Sequence, residues 1–589
     1  MSKNRVAESI LFFGFIGAVV AIPLIDWPGL DGMLLKDALF FLAVSALLLL
    51  WSVFTKGGSV YIDPQMRLIA VFLALVSIAT LRSIHIPTSV MGQYRNWGGA
   101  LSYVLLAFTY FLAVQIDWDE DRVKLLVRSM VYGGAATAAL ALLRFGRESM
   151  WLTNMNQANR ASGSFVGPNI LSFYLMLIWP LVLRLLFSTE TKRPEKLALA
   201  LAALMMFAAN LFTASRTGLV LSVAMFLVVV FMSSKKKKLL TVVASFMVIL
   251  ALGGLYAGQR SGGSRDFIYN RAVSIFTAGS LQSRIVLWKS AAKLVRDRPL
   301  TGWGPDTYRL AFPRVESLGQ AQLRKKLRTP HDYPLSVASG MGIPALLVLA
   351  LIFFRAVKYG LAAKDYWRQT LSLALISAIV CGLTLEWRMF LLFFFWLLMG
   401  VILSPERIKK ELPFFWPIRS AILILAVILL AWVGALTTAD FYFQRGRHMP
   451  KLSPAKTAYL RRAVRLDPYA FPYWQRYFAA TVDRPFSERL AVIRLARDYH
   501  PLQEETWFSE ASLKWENKVP AGEVIPLVDR AISIRPLGGS AHLLKGKLLI
   551  AQKKYREAQA ELSLAVTLLP QHPGDVKDAR RALEMIRRR

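Results

Sequence analysis

Five residues could carry charge-driven chemistry where cations are unexpected. Arg95, Arg160, Arg216, Arg284 and His331 all lie in gaps between apolar segments. Those gaps face away from the basic clusters that mark the inner side of a membrane, where lysine and arginine normally collect. A guanidinium is always protonated and binds phosphate oxygens two at a time. A histidine at a loop-to-span junction can take a proton from a hydroxyl near neutral pH. This set suits transfer from a membrane-anchored phosphate ester. The arginines would stabilise the charge of the leaving group, and His331 would activate the acceptor. Arg216 opens a span at the depth of a phosphate headgroup, so Arg216 and His331 are the expected catalytic pair. Arg160, Arg95, Arg284, Asp332 and Arg388 are the expected substrate-binding residues; Asp332 would orient His331 only if the two side chains turned the same way, and adjacent side chains often point apart.

Each residue also has a plainer reading. Arg216 could be a snorkelling interface anchor. Arg160 could sit in a solvated loop, and Arg284 on a surface helix. Glu386 could neutralise Arg388, and His331 could make a hydrogen bond that starts a span. No Asp-x-Asp pair occurs in the long outer loop or the short outer turns, so no metal and no cofactor is expected.

The elements that must position these residues are transmembrane helices. The chain has 589 residues, 55% of them hydrophobic, and a formal net charge of +35. Spans of about 20 apolar residues are needed to cross a bilayer. They are expected near 7–24, 33–54, 66–82, 99–115, 123–143, 169–188, 196–214, 217–233, 239–258, 333–355, 368–386, 388–404 and 416–438. The fold class is thus all-α: a polytopic bundle of about 12–13 spans. Basic inner loops such as KRPEK (192–196), SSKKKK (233–238) and PERIKKE (405–411) put the N-terminus inside,. Thirteen spans put the tail outside. If 368–404 is one span, the tail moves inside. The N-terminal apolar stretch has no small-residue cleavage site before Asp26 and is expected to be the first anchor,. Cys381, the single cysteine, lies in an apolar span and is expected to be a buried bystander.

The longest outer loop, 259–330, contains SRIVLWKSAAKLVRDRPLTGWGPDTY (283–308). Its first half predicts an amphipathic helix to about Arg296, suited to a bilayer surface. Pro299, Gly302, Gly304 and Pro305 then predict turns. Beyond residue 440 the composition becomes charged and alanine-rich. The pairs Asp467-Pro468, His500-Pro501, Arg535-Pro536 and Leu569-Pro570 recur at 33, 35 and 34 residues. That period matches tetratricopeptide helix pairs. The division is a membrane domain over 1–440 and a TPR-like α-solenoid over 441–589, with Gly546 and Ala558 at a helix crossing. The solenoid's concave face would hold a protein partner. The basic residues are spread over membrane loops and the tail, which speaks against nucleic acid and for anionic lipid.

Taken together, five segments resemble the O-antigen ligase and polymerase superfamily of polyprenyl-linked glycan transferases. They are GQYRNWGGALSYV (92–104), RASGSFVGPNILSFYLML (160–177), FTASRTGLVLS (212–222), SRIVLWKSAAKLVRDRPLTGWGPDTY (283–308) and TPHDYPLSVASGMGIPALL (329–347). The resemblance covers about residues 90–405. It departs from the family at Asp332, where the family usually has Asn. The resemblance implies a metal-independent glycosyltransferase in a bacterial cytoplasmic membrane, with its long loop and repeats extracytoplasmic. It implies an undecaprenyl-pyrophosphate-linked glycan donor and a lipid, protein or glycan acceptor. It also implies that His331 is the catalytic or acceptor-activating residue. A polysaccharide polymerase of the same superfamily is the alternative. A transporter or a non-catalytic envelope scaffold is the reading from another class.

Overall fold

The computed structural model describes residues 3–55, 59–151, 160–232, 279–322, 329–384, 387–411, 415–450 and 453–588. The expected span at 239–258, the tetralysine 235–238, Glu386 and the loop before 279 lie outside these residues.

The chain is an all-α polytopic bundle. Among the described residues, its first part holds α1 (Lys3–Leu24), α2 (Gly32–Phe54), α3 (Gln65–Leu81), α4 (Ile86–Met91), α5 (Ala100–Val114), α6 (Glu120–Trp151), α7 (Pro168–Phe187), α8 (Arg193–Phe212) and α9 (Arg216–Phe231). Then follow α10 (Gly279–Asp297), α11 (Tyr333–Ala362), α12 (Tyr366–Gly382), α13 (Met389–Leu403) and α14 (Phe415–His448). Among the described residues, eight helices are long and apolar enough to cross a membrane, and α3, α5 and α9 are shorter apolar helices. With α12, these account for twelve of the thirteen expected spans. Residues 368–404 form two helices, with the chain broken between Leu383 and Arg388.

Composition decides which helices lie at the centre. The α13 sequence MFLLFFFWLLMGVIL is apolar on every face, and all fifteen residues are buried. A helix hydrophobic all round belongs inside a bundle. Helix α7 is nearly as enclosed. Helix α14 leaves Ile424, Val427 and Ile428 exposed along one side, as a lipid-facing helix must.

Three features departed from the sequence reading. A two-stranded antiparallel ribbon, β1 (Ser59–Ile62) with β2 (Ile408–Glu411), ties two loops together in the register Ser59↔Glu411. Helix α10 does not offer its apolar face to lipid. Leu287, Ala291 and Leu294 are buried, and the last two pack with Trp303, Tyr308 and Phe312. Finally, α11 is kinked at Gly342, whose φ of 86° no L side chain favours,. The unwound stretch there pairs with the loop after α10: Trp303 N donates to Ser339 O at 2.9 Å and Gly304 N to Gly340 O at 2.8 Å. A Cβ on Gly342 would lie 2.2 Å from the Leu300 carbonyl oxygen.

Helix α14 runs unbroken through the expected boundary at 440/441 into the tail. The tail is eight helices: α15 (Pro454–Leu466), α16 (Phe471–Ala479), α17 (Phe486–Tyr499), α18 (Glu504–Glu516), α19 (Ala521–Ile534), α20 (Gly539–Ala551), α21 (Tyr555–Leu568) and α22 (Pro573–Arg587). The recurring prolines share a device. Six residues after each of the first three, a ring N–H donates to the proline carbonyl: Trp474 to Pro468 at 2.7 Å, Trp507 to Pro501 at 2.9 Å, His542 to Pro536 at 2.8 Å. Gly546 meets Leu562 and the Ala558 carbonyl, the close crossing expected of small residues there.

The tail packs on the residues that precede α11. Arg535 pairs with Glu316, so the tail and residues 309–322 share one face of the bundle. The ribbon lies at the other face, beyond the C-terminal end of α2, about 35 Å away at 1.5 Å per residue. An impermeant thiol reagent tests this. In spheroplasts, Ser317→Cys and Lys518→Cys should label alike, and Lys410→Cys should not. Native Cys381 is fully buried and gives little background. Opposite behaviour of positions 317 and 518 would break the docking.

Candidate functional site

The site is built around the turn between α8 and α9. Asn210 ends α8 inside the bundle, accepting from Ser172 Oγ at 2.7 Å and donating to Ser222 Oγ at 2.9 Å. Ser222 in turn donates to the Gly218 carbonyl at 2.7 Å. This buried polar chain draws α7, α8 and α9 together, and Gly218 allows the approach. A Cβ there would lie 2.0 Å from Ser172 Oγ. Ala214, with φ 50°, reverses the chain. Ser215 caps α9 through the Gly218 N–H,. Arg216 is therefore the first residue of α9, at a helix end whose free N–H groups favour an anion.

Two more arginines come to this turn. Arg160 lies against it: its Nε donates to Thr213 O at 2.7 Å and its NH2 to Asn169 Oδ1 at 2.8 Å. Ala161 N donates to Phe212 O at 2.9 Å, so the segment from Arg160 runs alongside the end of α8. Arg284, on α10, is half-buried. Burial pulls its guanidinium below the usual value, and neighbouring Arg216 pulls it the same way. Like charges disfavour one another at short range. Both arginines are half-buried, and two cations near one turn suit the binding of an anion,.

His331 is exposed and holds a φ of 55°, uncommon for a residue with a side chain,. Asp332 is engaged with the helix that follows it. Its Oδ1 caps α11, accepting from Leu335 N at 2.8 Å, and burial raises its pKa. Asp and Asn cap helices about equally well, so an Asp where the resemblance expects Asn keeps the same local role. Tyr333 stacks on Trp387 with ring centroids 4.2 Å apart. Trp387 covers Gly382, where a Cβ would meet its ring at 1.3 Å. Thr384 bonds Thr217 at 2.9 Å. Gly382, Thr384 and Trp387 thus connect the start of α11 to the start of α9.

Arg95 and Arg388 serve the neighbouring loop, 92–98. The Arg95 guanidinium is turned to Asp31, with Nε at 2.7 Å. Arg388, buried, donates to Arg95 O at 2.7 Å and Asn96 Oδ1 at 3.0 Å. From the other side, Asp306 accepts from Gln93 N at 2.6 Å, from Gly98 N at 3.0 Å and from the Asn96 amide.

Sequence reasoning missed Asp306, Asn96, Asp31 and the Ser172–Asn210–Ser222 chain. The last had a signal: polar side chains inside otherwise apolar spans are costly and usually have a purpose. Among the described residues, no three His, Cys, Asp or Glu side chains cluster as metal ligands.

A family model described as O-antigen ligase matches residues 201–350. The match takes in Arg216, Arg284, Asp306, His331, Asp332 and the kink of α11. No curated protein matches the chain.

The packing at the turn is testable without any assay of activity. Gly218→Ala should destabilise the purified protein by ~1–3 kcal/mol, the usual cost of overpacking. The readout is a lower Tm in detergent. An unchanged Tm would mean that α7 and α9 do not meet as closely as described.

Proposed function

We propose that this multi-pass membrane protein, which carries an O-antigen ligase domain, is a glycan transferase working on the outer face of a bacterial cytoplasmic membrane. The donor is a glycan on a polyprenyl pyrophosphate, undecaprenyl by resemblance. The acceptor is a hydroxyl or amine of a lipid, a protein or another glycan. A polymerase of the same superfamily would differ only in using a growing glycan as acceptor. The observation that carries the reading is the turn before α9, where Ser215 caps the helix that Arg216 opens and Arg160 donates to Thr213 O.

In this reading the acceptor oxygen or nitrogen attacks the anomeric carbon of the glycan. The bond from that carbon to the pyrophosphate oxygen breaks. Its electron pair leaves on the pyrophosphate, and the guanidiniums of Arg216 and Arg284 take up the developing charge. Arg160 borders the same turn and extends the binding surface. His331 takes the proton from the acceptor. Asp332 sets the His331 turn by capping α11. Arg388 and Arg95 fix the 92–98 loop, Arg95 through Asp31. No metal ion has a part in the step. The tail is read as a tetratricopeptide-like solenoid on the same outer side.

Arg216→Lys keeps the charge but loses the planar fork. One charge-assisted hydrogen bond is worth ~1.5–3 kcal/mol. Turnover of a purified lipid-linked donor should therefore drop by about one to two decades at normal protein level, and a chelator should leave the wild-type rate unchanged. Wild-type turnover in the lysine variant, or dependence on added divalent metal, would remove the arginine site.

His331→Gln keeps hydrogen bonding without basicity. It should bind the donor yet transfer about two to four decades more slowly, the usual cost of losing a general base. The lipid-linked donor should accumulate in cells that carry this variant. Near-normal transfer would reduce His331 to a positioning role.

A further inference from the structure

The inner face of the tail is occupied by part of its own chain. Glu316 has a side chain only 1% exposed, yet it is ionically paired. Arg535 grips it with both prongs: Nε to Oε2 and NH2 to Oε1, each at 2.8 Å. The remaining arm of Arg535 reaches Glu504 at 3.0 Å. Six residues further on, Gln322 donates to the Thr567 carbonyl at 3.0 Å. Ala321, 2% exposed, lines a cavity of about 180 Å³ together with Ala531, Leu537 and Leu568. At the near end, Arg309 lies 4.0 Å from Glu505 and over the Phe471 ring. Contacts from α16, α18, α21 and the turn after α19 therefore grasp one segment, 309–322.

The grasp is energetically one-sided. A two-pronged Arg–carboxylate pair is among the strongest charged contacts. Removing either partner leaves an uncompensated buried charge. Segment 309–322 begins three residues after Asp306, which holds the 92–98 loop. It ends nine residues before His331. Phe312 and Val315 of this segment pack in one apolar cluster with Leu335 in the first turn of α11, so holding the segment bears on the helix start next to His331.

We propose that the tail is a clamp acting on its own chain. Arg535 is a positioning residue: through Glu316 it fixes segment 309–322, and through that segment it sets the approach of His331 to the arginine site. The concave face then serves transfer by holding this segment, not by recruiting a separate partner. The proposal rests on the role of His331 given under Proposed function.

The test uses the full chain in nanodiscs. Arg535→Glu and Glu316→Arg are made singly and together. In each single variant, amide hydrogen exchange over 309–322 should accelerate about tenfold or more. The kcat for glycan transfer should fall about ten- to a hundredfold, the scale of a ~1 Å misplacement. The donor KM should change less than about threefold, because the arginine site is untouched. The charge-swapped pair should regain protection and kcat together. Should a single variant fail to accumulate, Ala321→Trp wedges the segment away from the tail with both charges in place, and the same two changes are expected. Unchanged exchange in the variants, or faster exchange with wild-type kcat, overturns the clamp. If wild-type protein shows no transfer at all, the proposed function fails, while the exchange measurement still reads the clamp by itself.

Discussion

The close approach of α7, α8 and α9 around Gly218 is the constraint from which the site follows. Three polar side chains, Ser172, Asn210 and Ser222, form a bonded chain where water is absent. Each would be costly alone, and together they satisfy one another. Only a residue without a Cβ lets them meet. The reward is a defined direction for the first turn of α9, which puts the Arg216 backbone at a helix end that attracts anions. Arg160 then has a carbonyl to hold, and Arg284 has a cationic neighbour.

Around that turn, carboxylates do the work of fixing loops. Asp306 gathers the Gln93 and Gly98 amides and the Asn96 side chain. Asp31 caps α2 and receives Arg95. Asp440, fully buried, accepts from Asp31 N at 2.7 Å, from the Tyr94 hydroxyl at 2.7 Å and from the Tyr473 hydroxyl at 3.1 Å. One carboxylate thus joins the start of α2, the 92–98 loop, the end of α14 and the second helix of the tail. Loops without regular structure can be rigid when their backbone groups have such partners. Rigidity of this kind is what an electrostatic site needs, since its donors must already point at the charge that develops.

The tail extends the same logic. Helix α14, at 34 residues longer than a bilayer crossing needs,, meets the tail directly where Phe443 stacks on Tyr473. Its ring-to-proline-carbonyl bonds repeat with the helix pairs and satisfy backbone acceptors at the turns. Its inner face meets residues 309–322, which lie between it and the membrane helices.

By itself, the sequence determined the bundle and the recurrence of the tail's prolines at 33 to 35 residues, while it left 368–404 open between one helix and the two that the structure shows. These depend on local quantities: apolar length, charge asymmetry and the recurrence of proline. It also marked Arg216, Arg284 and Arg160, since a cation on the outer side of an apolar segment stands out without knowledge of its neighbours. What only the tertiary structure decided is how those cations are used. Arg95 looked as available as Arg216 but is turned to Asp31, a residue 64 positions away. Asp332 looked like a partner for His331 but caps α11. Asp306 carried no signal strong enough to single it out, because its importance lies in amides more than 200 residues distant in the chain. Helix α10 read as a surface helix because its amphipathic period is the same whether lipid or protein covers it. Periodicity reports that a face must be buried. Only the packed structure reports against what.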